Sequence, residues 1–140
     1  MTMSCSRRAR PGPGVLQLED AATSCVVQLT HSRTPAGTDD RAATEQALDA
    51  SVAALGEAAE TFRQDATITT GAGAMAARAA AVTVPAGPQR AEVRMVLRSS
   101  TADRVLVGLV HICPDGSLDE DAWTAFVEGT TLRGTRATGF

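Results

Sequence analysis

The sequence contains no lysine, tyrosine or asparagine, and aromatic residues make up only 3% of its 140 residues. Every basic residue is therefore an arginine, a bias that is typical of GC-rich coding and carries little functional information. The formal net charge is −3, so the chain lacks the excess positive charge that provides most of the affinity for nucleic-acid phosphates. We expect no nucleic acid among its partners.

Long apolar runs are also missing from the sequence. No stretch reaches the roughly 18 apolar residues that indicate a transmembrane helix, and no leader-like apolar run follows the Arg- and Pro-rich residues 1–14. The cysteines, Cys5, Cys25 and Cys113, have unrelated spacings that do not form a disulfide framework. We therefore expect a soluble, cytoplasmic protein without membrane contact, in which these cysteines are buried, reduced thiols.

The composition is sufficient for one folded domain. A hydrophobic fraction of 44% supports a single core in a chain of this length. Residues 1–14 combine Ser, Arg, Pro and Gly without periodicity, which predicts a disordered arm. We expect one domain over residues 15–132 and a tail over residues 133–140.

Apolar and polar residues alternate in several segments, as they do in strands. Residues 15–18 and 25–31 alternate on either side of a turn, which indicates a hairpin. Residues 92–98 alternate in the same way, whereas residues 104–112 are apolar at nearly every position, which is typical of a central strand covered on both faces. The alanine-rich residues 74–84 fit a helix by propensity and a strand by context, and stay undecided.

Two segments have the patterns of helices. Apolar residues recur at helical spacing over residues 39–63, a segment that begins with capping residues and closes on Phe62. Ser117 and Glu120 have the spacing of a capping box, which predicts a short C-terminal helix containing Trp123. The sequence thus predicts an α+β fold: a mostly antiparallel sheet with one long helix and a short C-terminal helix packed on it.

The order of these elements is carried by residues 26–30, by Gly37 and the helix ending at Phe62, and by residues 71–78, 90–99, 105–112 and 123–126. Over about residues 24–128 this order resembles the PsbP-like fold group, which includes the DcrB-like and LpqN-like bacterial families. The resemblance implies an antiparallel sheet with helices packed against it. It also implies a binding module or a dimeric chaperone that shelters apolar segments, and it brings no catalytic residues.

A glycine motif and a set of cysteine and histidine donors are candidate ligand sites. Gly71 and Gly73 begin a loose dinucleotide-binding fingerprint, but no strong strand precedes them, so we expect a strand kink or bulge there. The soft donors that metal ions such as zinc prefer are few, and their spacing matches no common zinc module. They are Cys25, His31, His111 and Cys113. We expect neither a metal nor another cofactor.

The central strand is apolar on both faces, but the predicted helices are too few to cover both. We therefore expect a non-catalytic binding or chaperone-like module, a homodimer, that contacts a protein partner or an apolar ligand. The expected binding surface consists of Val93, Met95, Leu97, Val105, Val107, Leu109 and Trp123.

Two other functions stay open. One is a small biosynthetic enzyme or cyclase that binds an apolar metabolite in a cavity between helix and sheet, with His111, Arg94 or Glu92 pointing inward. The other is an immunity protein for a neighbouring toxin. No residue is assigned a catalytic role, and we favour the non-catalytic interpretation.

Overall fold

In the part of the chain that the structure describes, one eight-stranded sheet and two short helices form the fold. The computed structural model describes residues 5–7, 14–35, 37–134 and 140. The strands are β1 (Cys5–Arg7), β2 (Val15–Asp20), β3 (Val26–Arg33), β4 (Ala59–Thr70), β5 (Gly73–Ala86), β6 (Gln89–Ser100), β7 (Val105–Pro114) and β8 (Thr131–Leu132). The helices are α1 (Asp40–Ala54) and α2 (Glu120–Gly129).

The strand order is β1-β2-β3-β7-β6-β5-β4-β8, and every neighbouring pair is antiparallel except β4 with β8. Hairpins join β2 to β3 and connect β4 through β7 in succession, while α1 carries the chain from β3 to the far side of the sheet. The hairpin predicted from residues 15–18 and 25–31 is confirmed. The apolar segment over residues 104–112 forms most of β7, which has β3 and β6 as neighbours.

The predicted α+β fold with one long helix is wrong, because the chain is mostly β. The helix that was predicted over residues 39–63 ends at Ala54. Gly56 follows with φ +78°, the left-handed conformation that terminates many helices and that glycine adopts without strain. From Ala59 onward the chain is strand, so the apolar residues that continued the helical spacing to Phe62 belong to β4.

The alanine-rich residues 74–84 lie in β5, which pairs with both β4 and β6. Hydrogen bonding on both edges therefore overrides the high helix propensity of alanine. Gly71, with the residue after it, forms the turn between β4 and β5, and Gly73 begins β5 with φ +120°. The fingerprint glycines thus lie in a hairpin and not between a strand and a helix.

The C-terminal helix is confirmed, but its cap differs from the prediction. Asp119, and not Ser117, is the N-cap residue, and its side chain accepts a hydrogen bond from the backbone N–H of Ala122 at 3.1 Å. Neither helix in the part of the chain that the structure describes is long and apolar enough to cross a bilayer.

Each helix covers one face of the sheet. Since side chains alternate along a strand, neighbouring residues of β6 such as Val96 and Leu97 contact different helices. Leu48 of α1 packs on one face, against Ala80, Val82, Val93, Met95 and Leu97. Trp123 of α2 packs on the other face, against Ile68, Met75, Ala77, Val96, Val107 and Leu109.

A buried ion pair connects the start of α1 to the end of β6. The Arg98 guanidinium donates to the Asp40 carboxylate at 2.6 Å, and the two side chains are 1% and 0% exposed. Asp40 also accepts hydrogen bonds from the backbone and the hydroxyl of Thr101. Arg98 donates in addition to the backbone carbonyls of Ser99 and Ala76. Both charges are therefore compensated without water.

Substitution of Arg98 tests the importance of this pair. Arg98→Leu leaves the Asp40 carboxylate buried without its cation, so we expect the free energy of unfolding to fall by about 3–5 kcal/mol. Urea denaturation measures the change. Arg90→Leu, at an exposed position of the same strand, is the matched control and should change stability by no more than about 0.5 kcal/mol. Equal effects of the two substitutions would contradict the role assigned to the pair.

Candidate functional site

A stack of three rings lies between α2 and the sheet. Trp123 is 7% exposed, and its ring lies 5.3 Å from that of His111 with an angle of 6° between the planes. Phe126, one turn later on α2, also stacks on Trp123, and the centres of these two rings are 6.1 Å apart. The stack separates two features: an open cleft beside β4 and a buried Cys/His cluster at the end of β7.

The cleft lies between α2 and strands β4, β5 and β6, and has a volume of about 240 Å³. Its sheet side includes Ala66 and Ala79, whose small side chains leave space that a larger residue would fill. Trp123 lines the opposite wall. Phe62 also lines the cleft, and with 41% of its surface accessible it is the exposed large hydrophobic residue of the described chain.

Charged groups stand beside Phe62. The Arg94 guanidinium donates two hydrogen bonds to one carboxylate oxygen of Glu120, which ties β6 to the start of α2. The same guanidinium lies 5.7 Å from the centre of the Phe62 ring, within the range of a cation–π contact. Because Glu120 is 55% exposed, the ion pair contributes at most about 1 kcal/mol. Separation of Glu120 from Arg94 would therefore cost little.

A disulfide joins Cys25 to Cys113, with their Cα atoms 4.3 Å apart. Both residues are buried, at 2% and 0% exposure. They extend the ladder of β3 and β7 by one pair beyond Val26 and Ile112. The prediction that these two cysteines are reduced thiols is thus wrong. Disulfides persist mainly in oxidising compartments, and the cytoplasmic location expected from the sequence stays a prediction.

His111 lies on the same face of β7 as Cys113, two residues earlier. Its Nε2 atom is 3.3 Å from the Cys113 sulfur, and the residue is 1% exposed. Burial lowers the pKa of His111, and the positive charge of Arg94 lowers it further. The imidazole is therefore neutral at neutral pH. His31, the other histidine of the predicted donor set, is exposed near the far end of β3, opposite Val107.

The residues predicted as one binding surface are divided between the two faces. Leu97 of β6 is paired with Gly108 of β7, and Arg98 is paired with Val107. Because paired residues lie on the same face, the odd-numbered residues of β6 and the odd-numbered residues of β7 lie on opposite faces of the sheet. Val93, Met95 and Leu97 are buried under α1, while Val107, Leu109 and Trp123 are buried in the other core cluster, with Val105 packed against it. Their side chains stabilise the core and leave little surface for a partner.

Of the predicted polar pocket residues, Arg94 lines the cleft. His111 lies in the Cys/His cluster, and Glu92 pairs with Cys113 at the start of β6. Sequence reasoning missed Glu120 and the role of Phe62, which it placed on a helix. The position of Phe62 in β4 depends on where α1 ends, and Gly56 was the available signal.

Comparison of the chain with protein-family models and with curated proteins finds no match. Function must therefore be inferred from the contacts of the cleft and of the Cys/His cluster.

Removal of the disulfide tests its contribution to stability. The bond closes a loop between residues that are 88 positions apart, so the double substitution Cys25→Ala and Cys113→Ala should lower the free energy of unfolding by about 2–4 kcal/mol. Urea denaturation measures this loss, with Cys5→Ser as the control that leaves the bond intact. The unfolded wild type should present one reactive thiol before reduction and three after it. Three thiols without reduction would contradict the bond.

Proposed function

We propose that the protein is a non-catalytic binding module that holds an apolar side chain of a protein partner in the cleft beside α2. The observation that carries this proposal is the exposure of Phe62 at a cleft with an alanine-lined floor. Full burial of an exposed Phe side chain is favourable by about 1.5–3 kcal/mol, and covering the 41% of Phe62 that is still accessible contributes part of this to affinity. The ring of Trp123 forms the opposite wall of the same cleft.

The size of the cleft supports a side chain as its occupant rather than a whole metabolite. Pockets for drug-sized ligands measure roughly 300–1,000 Å³, and this cleft, at about 240 Å³, is smaller. One apolar group fits it, and the rest of the partner lies outside. Arg94 favours a carboxylate on the partner next to that group, because it offers charge-assisted hydrogen bonds.

The edge of β4 supports a partner in an extended conformation. Within the described residues, β8 pairs along the outer edge of β4 at Thr69 and Thr70 alone. The preceding part of β4 is mostly exposed and contains Phe62. An unpaired strand edge accepts an additional strand through its backbone N–H and C=O groups. A partner strand on this edge places its side chains beside the cleft.

This proposal retains the binding or chaperone-like function that was expected from the sequence, but moves it to another surface. A second copy of the chain is one partner that offers such an edge, so the expected homodimer is consistent with the same surface. The resemblance to the PsbP-like group and the role of an immunity protein stay predictions. The enzyme hypothesis receives less support, because Leu48, Val93 and Met95 pack together beneath α1. A cavity of about 410 Å³ beside α1 is lined by Ala43 and Ala47 of the helix and by Leu106 of β7.

Binding of 8-anilinonaphthalene-1-sulfonate tests the cleft, since this probe combines an apolar ring system with an anionic group. Trp123 is the single tryptophan of the chain, so energy transfer from it reports a probe that is bound nearby. Ala79→Leu fills the floor and should weaken binding at least about tenfold, which corresponds to about 1.4 kcal/mol. Phe62→Ala should weaken it by a similar factor through lost apolar contact.

Ala74→Leu is the matched control for this experiment. It adds the same atoms to β5 at an exposed position outside the cleft, and should leave the dissociation constant unchanged. If Ala79→Leu binds the probe as tightly as the wild type and the Ala74→Leu variant, the cleft is not the binding site and the proposal fails.

A further inference from the structure

The Cys/His cluster brings together three soft metal donors. One donor atom each from Cys25, His111 and Cys113 lies within 4.8 Å of the other two, and all three residues are buried. In the oxidised protein the sulfurs are bonded to each other and are poor ligands. Reduction converts the cluster into two thiols beside a neutral imidazole.

We propose that the reduced protein binds one soft cation, Zn²⁺ or Cu⁺, between Cys25, Cys113 and His111. A dithiol reductant supplies two electrons and two protons to the S–S bond, which breaks into two thiols while the reductant itself becomes a disulfide. The cation then replaces the two thiol protons, which are released to water. Thiolate and imidazole are the ligands that both cations prefer. The site is thus available in only one redox state of the pair.

The backbone already places the three donors for a common centre. Cys25 and Cys113 are opposed on adjacent strands, and His111 precedes Cys113 by two residues on the same face. With Zn–S bonds of about 2.3 Å and tetrahedral angles, two thiolate ligands stand about 3.8 Å apart. Rotation of the cysteine side chains provides that separation. The stacking of Trp123 on His111, with an angle of 6° between the rings, restricts the plane of the imidazole.

The number of donors makes the choice between the two cations testable. Three protein donors suit Cu⁺, whereas Zn²⁺ takes a fourth ligand. The backbone oxygen of Ser117 is 3.6 Å from the Cys25 sulfur and would be available as a fourth ligand. The ligand-field spectrum of bound Co²⁺ therefore distinguishes a four-coordinate site from a three-coordinate one.

Metal titration of the full chain tests this proposal. Protein reduced with dithiothreitol and desalted without oxygen is titrated with Co²⁺ as a spectroscopic substitute for Zn²⁺, and with Cu⁺ against the chelator bicinchoninate. We expect one equivalent of metal per chain, a thiolate-to-cobalt charge-transfer band that Zn²⁺ abolishes, and no binding by the oxidised protein. The intensity of the Co²⁺ ligand-field bands, which is high only for a tetrahedral site, identifies a four-coordinate centre. Failure of the reduced protein to bind either cation would overturn the proposal.

Substitutions locate the ligands. His111→Gln and Cys113→Ser should each weaken binding at least about tenfold. His31→Gln and Cys5→Ser are the matched controls, since they remove the other histidine and the other thiol and should leave the affinity unchanged. An affinity that is unchanged by His111→Gln, or a charge-transfer band that disappears with Cys5→Ser, would contradict the assigned ligands.

Thermal stability gives a second readout in case reduction loosens the fold. A cation that binds only the folded state raises its melting temperature, so Zn²⁺ or Cu⁺ should stabilise the reduced wild type more than the His111→Gln variant. If the reduced chain is unfolded, far-UV circular dichroism should show that the cation refolds the wild type alone. Stabilisation of both proteins to the same extent would count against the site.

Discussion

The antiparallel register of β7 with β3 and β6 decides which face of the sheet each core cluster occupies and where the Cys/His cluster lies. It opposes Ile112 to Val26 on one side and to Val93 on the other. Because side chains alternate along a strand, a shift of one residue would move the apolar residues of β7 to the wrong face. The same shift would separate Cys113 from Cys25. The hydrophobic cost of exposing either core cluster therefore also maintains the geometry of the Cys/His cluster.

The two faces of the sheet are stabilised by different means. On one face, the pair of Asp40 and Arg98 anchors the first turn of α1, and Leu48 fills the space beneath it. On the other face, no comparable ion pair is buried among the described residues; α2 is held by the ring stack around Trp123. The rings of His111, Trp123 and Phe126 contact one another but do not fill the space above Ala66 and Ala79. The cleft therefore lies on the α2 side of the sheet.

Much of the sheet follows from local patterns in the sequence. The alternation of apolar and polar residues predicted the hairpin of β2 and β3 and the strand β6. Successive side chains of a strand point to opposite faces, so every second residue faces the core. The long helix failed for a physical reason: apolar residues at helical spacing continue past Gly56, although the chain leaves the helix there. The alanines of β5 favour a helix by intrinsic propensity, but pairing of this segment with β4 and β6 makes it a strand.

The sequence by itself determined which chemical groups this protein has: one small set of soft donors, a single Trp123 and few aromatic residues for a core. Only the tertiary structure decided that Cys25 meets Cys113 and His111 while His31 stays apart. Residues 88 positions apart come together through strand register, and no local spacing encodes that register. Likewise, Phe62 is exposed at a cleft because β4 lies near the edge of the sheet, a position that depends on the order of all eight strands.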